Sequence, residues 1–145
     1  MEVMANDAPK GRASHSSILV VEDHQILRLS IVTWLECRFP GCVVHGVESG
    51  EEALKHVRAA CPDLVLMDIN LPGVDGLEST RRIKAQASKA AVVLLSTHDT
   101  PYHRLAAVKA GAAGYIAKRD METQLAPTIA RLLKPHQNAH CSVRP

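Results

Sequence analysis

Aromatic residues are scarce in the 145-residue sequence, which contains one Trp, one Phe and two Tyr. This argues against an aromatic-rich binding module, and the core must be built from aliphatic side chains. At 46% apolar residues, the chain has enough of them to bury the core of one domain. An aliphatic core of this kind suits a sheet of Val, Ile and Leu packed between Ala-rich helices.

Long apolar runs and runs of one charge are also missing. No segment approaches the roughly 18 apolar residues that a membrane span needs, and the residues after Met1 lack the apolar stretch of a signal peptide. We therefore expect a cytoplasmic protein without a membrane partner. The net charge is only +2 and no basic run occurs, so we expect no direct nucleic-acid binding by this segment.

Cysteine pairs and phosphate-binding glycine motifs are absent as well. The four cysteines form no CxxC pair, and in a cytoplasmic chain with a competent core they are expected to be free thiols. Neither GxxxxGK[ST] nor GxGxxG follows any predicted strand, which disfavours a nucleotide- or flavin-binding domain.

The most informative stretch present is an apolar run at residues 64–67 that ends in Asp68 and is soon followed by the turn residues Pro72-Gly73. A run without polar alternation predicts a central strand covered on both faces, with Asp68 at its end, at the surface. Asp68 could simply be a turn residue. A second apolar run, residues 17–21, however also stops on acids, Glu22-Asp23, and turn chemistry does not readily explain both.

Strand and helix signals alternate five times along the chain. The predicted strands are residues 17–21, 42–47, 64–68, 91–95 and 114–117, with 42–47 nearest an edge because it is short and partly polar. This β-α alternation predicts a five-stranded parallel sheet of order 2-1-3-4-5 with helices on both faces, a doubly wound three-layer sandwich.

Helix starts are predicted from capping residues. Ser49 in a capping box, Asp75 and Thr100 are expected to be the N-caps of the second, third and fourth helices. Pro127 falls within the last apolar helical pattern, where an interior proline costs about 3 kcal/mol. We therefore expect that helix to begin near Thr123, so that Pro127 lies close to the first turn.

Chemistry-bearing residues follow the predicted strands. Since parallel strands end on the same rim of a sheet, one cluster is expected from Glu22, Asp23, Asp68, Ser96, Thr97 and Lys118. Crowded carboxylates repel one another and need cations, which Lys118 and a hard divalent ion such as Mg²⁺ would supply. Asp68 is the candidate for covalent chemistry, because an aspartate can accept a phosphoryl group as an acyl phosphate.

The chain resembles the receiver domain of two-component response regulators over about residues 16–134. The resemblance rests on motifs in four places, in the right order: residues 18–23 (ILVVED), 62–76 (PDLVLMDINLPGVDG), 92–96 (VVLLS) and 110–118 (AGAAGYIAK). It implies a flavodoxin-like fold and transfer of a phosphoryl group to Asp68 from the phosphohistidine of a sensor histidine kinase or phosphotransfer protein.

The resemblance also implies roles for the other site residues. Mg²⁺ would be held by Glu22, Asp23, Asp68 and the backbone carbonyl of Asn70. Ser96 would bond the phosphoryl group, Lys118 would pair with it, and Tyr115 would be an aromatic switch that turns inward when Ser96 moves. An ordinary half-buried strand aromatic is the alternative reading of Tyr115.

Two features depart from the common pattern of the family. Arg119 follows Lys118 where many members have proline, as in regulators with a helix-turn-helix output domain. Ser96-Thr97 leaves open which hydroxyl is the switch; the spacing from Lys118 favours Ser96, and Thr97 would then limit access to the phosphoryl group.

Two other functions are alternatives to a phosphorylation-controlled switch. A small aspartyl-phosphate phosphatase also uses an Asp at a strand end, but typically has a second acid where this chain has Asn70. A pseudo-receiver that acts only as a docking surface is disfavoured by the intact set of acids, hydroxyl and lysine.

The predicted domain boundaries are a flexible arm at residues 1–15, the receiver domain at 16–134, and a tail or the start of a linker at 135–145. The segment after Leu133 is too short for a DNA-binding domain, so we expect either a single-domain regulator or a receiver taken from a longer chain. The fourth helix, fifth strand and fifth helix form the surface through which family members dimerise or meet partners.

Overall fold

The computed structural model describes residues 15–133, in which five strands alternate with five helices. The strands are β1 (Ser16–Val21), β2 (Cys42–Val47), β3 (Leu64–Asp68), β4 (Ala91–Ser96) and β5 (Gly114–Ala117). The helices are α1 (Gln25–Arg38), α2 (Gly50–Ala59), α3 (Gly76–Gln86), α4 (Pro101–Ala110) and α5 (Met121–Leu132), with a 3₁₀ turn at Lys118–Asp120. The arm and tail predicted from the sequence fall almost wholly on residues outside the described range.

All five strands are parallel and lie in the order β2-β1-β3-β4-β5, which confirms the predicted fold. β3 is central and buried at each of its positions, as its unbroken apolar run predicts. β2 lies at an edge, as predicted, and has no fully buried residue. Within residues 15–133, no helix is long and apolar enough to span a membrane.

The core has two aliphatic layers, one on each face of the sheet. One layer joins β1, β3 and β4 to helices α2, α3 and α4, and the other joins the opposite faces of the same strands to α1 and α5. Successive strand residues point to opposite faces, so neighbours such as Leu19 and Val20 belong to different layers. Trp34, Phe39 and Tyr115 only flank these layers, as the composition requires.

The helix caps follow the sequence with one change. The side chains of Asp75 and Thr100 accept hydrogen bonds from backbone N–H groups at the starts of α3 and α4, as predicted. Ser49 Oγ accepts from Glu52 N at 3.1 Å, but the Glu52 carboxylate accepts from the N–H of Glu48, at 3.1 Å, and not from that of Ser49. The capping box therefore forms with one change, because the Glu52 carboxylate bonds the residue before the N-cap.

The expected start of the last helix is wrong. α5 begins at Met121, directly after the 3₁₀ turn, and Pro127 lies inside it. The buried side chains of Leu125 and Ile129 flank the proline and pack in the layer shared with α1. Burial of this apolar stripe outweighs the local cost of a missing backbone donor.

Candidate functional site

Three carboxylates converge at the rim where β1 and β3 end. Each of Glu22, Asp23 and Asp68 offers a ligand oxygen, and these oxygens lie within 4.8 Å of one another. Glu22 and Asp68 are only 1% and 2% exposed, whereas Asp23 is exposed. The expectation that Asp68 lies at the surface is wrong, because neighbouring rim side chains and the loop after β3 cover its carboxylate.

Lys118, which follows the edge strand β5, provides the positive charge opposite these carboxylates. Its Nζ lies 3.2 Å from Glu22 Oε1 and 3.3 Å from Asp68 Oδ2, so one ammonium bridges both buried carboxylates. The residue follows β5 directly, and its long side chain reaches back past β4 to the acids on β1 and β3. A single strand-end lysine thus serves two strands.

The charge at the rim is not balanced. Burial raises the pKa of the Glu22 carboxyl, and the nearby Asp68 carboxylate adds to this rise, while the His24 backbone N–H and Lys118 oppose it. Three carboxylates face one ammonium. All three side chains offer oxygen ligands, and two of the three are buried. Oxygen ligands are those that a hard divalent cation such as Mg²⁺ prefers. The residues therefore fit the predicted metal.

The loop after β3 fixes the Asp68 side chain. Its Oδ1 accepts a hydrogen bond from Asn70 N at 3.1 Å, which leaves Oδ2 to pair with Lys118. The loop closes where Gly76 N donates to the carbonyl of Ile69, at 2.9 Å. A Cβ at residue 76 would overlap the Asp68 carbonyl oxygen and lie 2.6 Å from Ile69 Cα, so only glycine fits there.

The same loop is anchored to α2 by Glu51. Its Oε2 accepts from Val74 N at 3.4 Å and lies beside Gly73, which has a positive φ of 75°. Glycine adopts this left-handed conformation without strain. The turn that carries Asn70 is thus held by hydrogen bonds on both sides, at Asp68 before it and at Val74 after it.

Arg28 supports the acids on β1, and sequence reasoning missed it. Its Nη1 donates to the carbonyl oxygen of Glu22 at 2.8 Å, and its stem packs against Gly46, where a Cβ would lie 3.2 Å from Arg28 Cγ. Two features of the sequence could have revealed it. Arg28 is a cation in the first turn of a helix, where it opposes the macrodipole and so needs another reason to be there. Gly46 is a glycine inside a strand, which marks the close approach of another group.

The hydroxyl residues after β4 differ in burial. Ser96 is fully buried and its Oγ accepts from His98 N at 3.0 Å, while Thr97 is exposed and its Oγ1 lies 3.4 Å from His98 Nδ1. Because Asp68 pairs with Leu95 in the β3–β4 register, Ser96 lies one residue beyond the acid on the same rim.

Tyr115 contacts the same segment as Ser96. Its hydroxyl donates to the carbonyl oxygen of His98, and its half-buried ring packs against the core layer that contains α4. His98 therefore bonds the side chain of Ser96 through its N–H and the side chain of Tyr115 through its C=O. No sequence signal marked His98, because its bonds to Ser96 and Tyr115 use only its backbone.

The fold and the rim together define a flavodoxin-like α/β domain with a buried acidic pocket at the carboxyl ends of its strands. The family model described as "Response regulator receiver domain" matches residues 18–130, and the chain belongs to this family. Among the curated relatives, the chain is 36% identical over 119 residues to "Transcriptional activator protein ExaE" of Pseudomonas putida, covering 82% of this chain and 56% of that one. The chain spans about half the length of the curated relatives it matches.

Solved structures agree with this assignment. A LuxR-family two-component response regulator from Aurantimonas sp. SI85-9A1 matches with a TM-score of 0.77 and 34% identity, over 83% of this chain and 86% of that one. The response regulator TrrA from Thermotoga maritima, solved in complex with Mg(2+)-BeF, matches with a TM-score of 0.73 and 31% identity, over 81% and 99%. These similarities give no support to the phosphatase alternative.

Proposed function

We propose that this receiver domain accepts a phosphoryl group on Asp68 from the phosphohistidine of a sensor histidine kinase or phosphotransfer protein. One observation carries the proposal. The Asp68 carboxylate is buried beside Glu22 and is bonded on one oxygen to Asn70 N and on the other to Lys118 Nζ. A buried, oriented aspartate with a bridging cation has the features of an activated carboxylate nucleophile.

The transfer exchanges one bond for another. A carboxylate oxygen of Asp68 attacks the phosphorus, an O–P bond forms, and the N–P bond to the donor imidazole breaks. Its electron pair returns to the imidazole nitrogen, so the donor leaves as neutral histidine once that nitrogen is protonated. Lys118, which contacts Asp68, would pair with a phosphoryl oxygen, and Ser96 Oγ would turn away from His98 N to donate to another.

Glu22, Asp23, Asp68 and the carbonyl oxygen of Asn70 would hold Mg²⁺ at this rim. The ion would neutralise charge on the phosphoryl oxygens. The chain's own contribution is to hold the carboxylates in place, through Arg28 at Glu22 and the tied loop at Asp68.

The aspartyl phosphate would act as a switch, and the domain would catalyse only its own phosphorylation and dephosphorylation. If Ser96 Oγ turns towards a phosphoryl oxygen, the His98 N–H loses its acceptor. His98 also holds the Tyr115 hydroxyl, so Tyr115 would sense that change. Thr97, exposed next to Ser96, would control access to the phosphoryl group.

The fourth helix carries the surface that would read the switch. Tyr102, Leu105 and Val108 lie on α4 and are 76%, 54% and 68% exposed. We infer that this face, with β5 and α5, meets an output domain, a partner or a second copy, and so controls transcription. Sedimentation with and without beryllofluoride would test self-association.

Mass spectrometry tests the phosphoacceptor directly. After treatment with Mg²⁺ and a small phosphodonor such as phosphoramidate, we expect one phosphoryl group on Asp68. Asp68→Asn should take up none. Asp63→Asn is the matched control, because Asp63 lies just before the other end of β3 and its carboxylate accepts from Ser17 N, at 2.9 Å. Equal labelling of Asp68→Asn and the unaltered protein would refute the assignment.

A further inference from the structure

Arg104 lies over the ring of Tyr115. The guanidinium carbon lies 4.8 Å from the ring centroid, within cation–π range. Its Nε also lies 2.6 Å from Asp99 Oδ1, and Arg119 Nη2 approaches the other oxygen of Asp99 at 3.1 Å. The tyrosine ring is therefore held by its hydroxyl at His98 and by a fixed cation across its face.

We propose that Asp99 and Arg104 form an ionic clamp that keeps Tyr115 docked against His98 and thereby sets how readily the domain switches. This inference rests on the proposed role of Tyr115. The clamp, defined as the Asp99–Arg104 pair, adds a determinant of the docked state that lies outside the acidic rim.

Arg104 and Asp99 have different roles in the clamp. A cation stabilises an aromatic ring only while it stays over the ring face, and an arginine on a helix surface loses much rotamer freedom to do so. Asp99 fixes Arg104 in that place from the loop between β4 and α4. The hydrogen bond and charge of Arg104, followed by the charge and hydrogen bond of Arg119, lower the pKa of the Asp99 carboxyl.

The ion pairs of Glu78 on the surface of α3 lack this arrangement. Glu78 pairs with Arg81 and Arg82 at 2.9 Å and 3.0 Å, but all three residues belong to α3 and are half-exposed. Such pairs within one helix contribute little. The clamp instead joins the loop between β4 and α4 to α4, and the same guanidinium lies over a ring from β5.

The clamp also predicts a dependence on salt. Its charges are partly exposed, with side-chain exposures of 47% for Arg104 and 18% for Asp99, so mobile ions screen them. Raising ionic strength should weaken the clamp and release Tyr115. The two buried carboxylates bridged by Lys118 would respond less, because burial limits screening.

Ring-¹³C-labelled tyrosine provides the test, because the chain has two tyrosines and Tyr102→Phe assigns the remaining signal to Tyr115. In the unmodified protein, Arg104→Ala should lower the ratio of docked to released Tyr115 by roughly three- to tenfold, as expected for one cation–π contact with its ion pair. Asp99→Asn should lower it by a smaller factor, and Arg104→Lys should fall between Arg104→Ala and the unaltered protein.

Arg82→Ala is the control, since it removes an arginine of similar exposure from an ion pair without a ring. It should leave the Tyr115 signal unchanged. Raising sodium chloride from about 0.05 M to about 1 M should shift the unaltered protein in the direction of Arg104→Ala, and should not shift Arg104→Ala itself. A Tyr115 signal that is the same in Arg104→Ala and the unaltered protein would overturn the clamp.

Mass analysis of Asp68 phosphorylation on the same samples separates the two proposals. Failure of the unaltered protein to accept a phosphoryl group would refute the proposed function, whereas the tyrosine signals of untreated samples decide on the clamp alone. Phosphorylation that proceeds normally while Arg104→Ala leaves the Tyr115 signal unmoved would overturn the clamp and retain the function.

Discussion

Arg28 Nη1 lies 2.8 Å from the carbonyl oxygen of Glu22, so the guanidinium holds the peptide that joins Glu22 to Asp23. This contact makes Arg28 a positioning residue for the acidic pair. Two effects of removing it have opposite signs. Loss of the hydrogen bond would loosen the acids and weaken Mg²⁺ binding, while loss of a nearby positive charge would strengthen it.

The first prediction is that positioning dominates. Arg28→Gln and Arg28→Lys should both weaken Mg²⁺ binding, by about fivefold for a hydrogen bond that contributes about 1 kcal/mol. Calorimetric titration with Mg²⁺ measures this, with Arg38→Gln at the other end of α1 as the control. Tighter binding by Arg28→Gln together with unchanged binding by Arg28→Lys would show that only charge matters.

The second prediction concerns the close approach at Gly76. Gly76→Ala should lower the free energy of unfolding by about 1–3 kcal/mol, because the new methyl group meets the backbone of Asp68 and Ile69, which cannot move aside easily. Urea denaturation followed by circular dichroism measures the change. Gly41→Ala is the control, since no atom lies within 4 Å of the added Cβ, and it should be neutral or slightly stabilising.

The third prediction is that Pro127→Ala stabilises the domain. Pro127 is exposed and lies inside α5, so its replacement restores a helical backbone donor without removing buried surface. We expect the free energy of unfolding to rise by about 1–3 kcal/mol. Gln124→Ala, an exposed change one turn earlier, should have a much smaller effect in the same urea titration. A lower free energy of unfolding in Pro127→Ala would contradict this prediction and show that the proline stabilises α5.

The fourth prediction is a pH dependence at His56. Burial lowers the pKa of its imidazole below 6.5, and the neighbouring His45, whose ring centroid lies 5.1 Å away, lowers it further. The unfolded chain then binds a proton more tightly than the folded one. Stability from neutral His56 is therefore complete above pH 6.5 and is lost as the pH falls from 6.5 through the folded-state pKa.

Urea midpoints measured above and below this window should show the effect. The midpoint should fall on acidification by less in His56→Gln than in the unaltered protein. Lys55→Gln, the preceding exposed position on α2, should keep the full fall. If His56→Gln and the unaltered protein lose stability equally, His56 is not the group responsible.

The sequence predicted the strand ends better than it predicted their surroundings. Glu22, Asp68 and Lys118 are predicted to share one rim because parallel strands end together, and an unbroken apolar run that stops at a polar residue is a local signal. The burial of Asp68 was missed because it depends on Lys118 reaching across from β5 and on the loop that returns at Gly76. These contacts join distant parts of the chain.

Contacts made by backbone groups left little trace in the sequence. His98 bonds Ser96 and Tyr115 through its N–H and C=O, which every residue but proline possesses. The start of α5 was placed wrongly for a related reason. The rule for Pro127 is local, whereas the layer that buries Leu125 and Ile129 is built by residues from the rest of the chain.

The bonds at His98 leave very little slack between Ser96 and Tyr115. The bonded N–H and C=O belong to one residue, so only two torsions, φ and ψ of His98, separate the two contacts. A rearrangement at Ser96 cannot be absorbed by a long flexible path before it reaches the tyrosine. Because the linkage is one residue long, a displacement of the Ser96 side chain is passed to Tyr115 with little loss to flexible backbone.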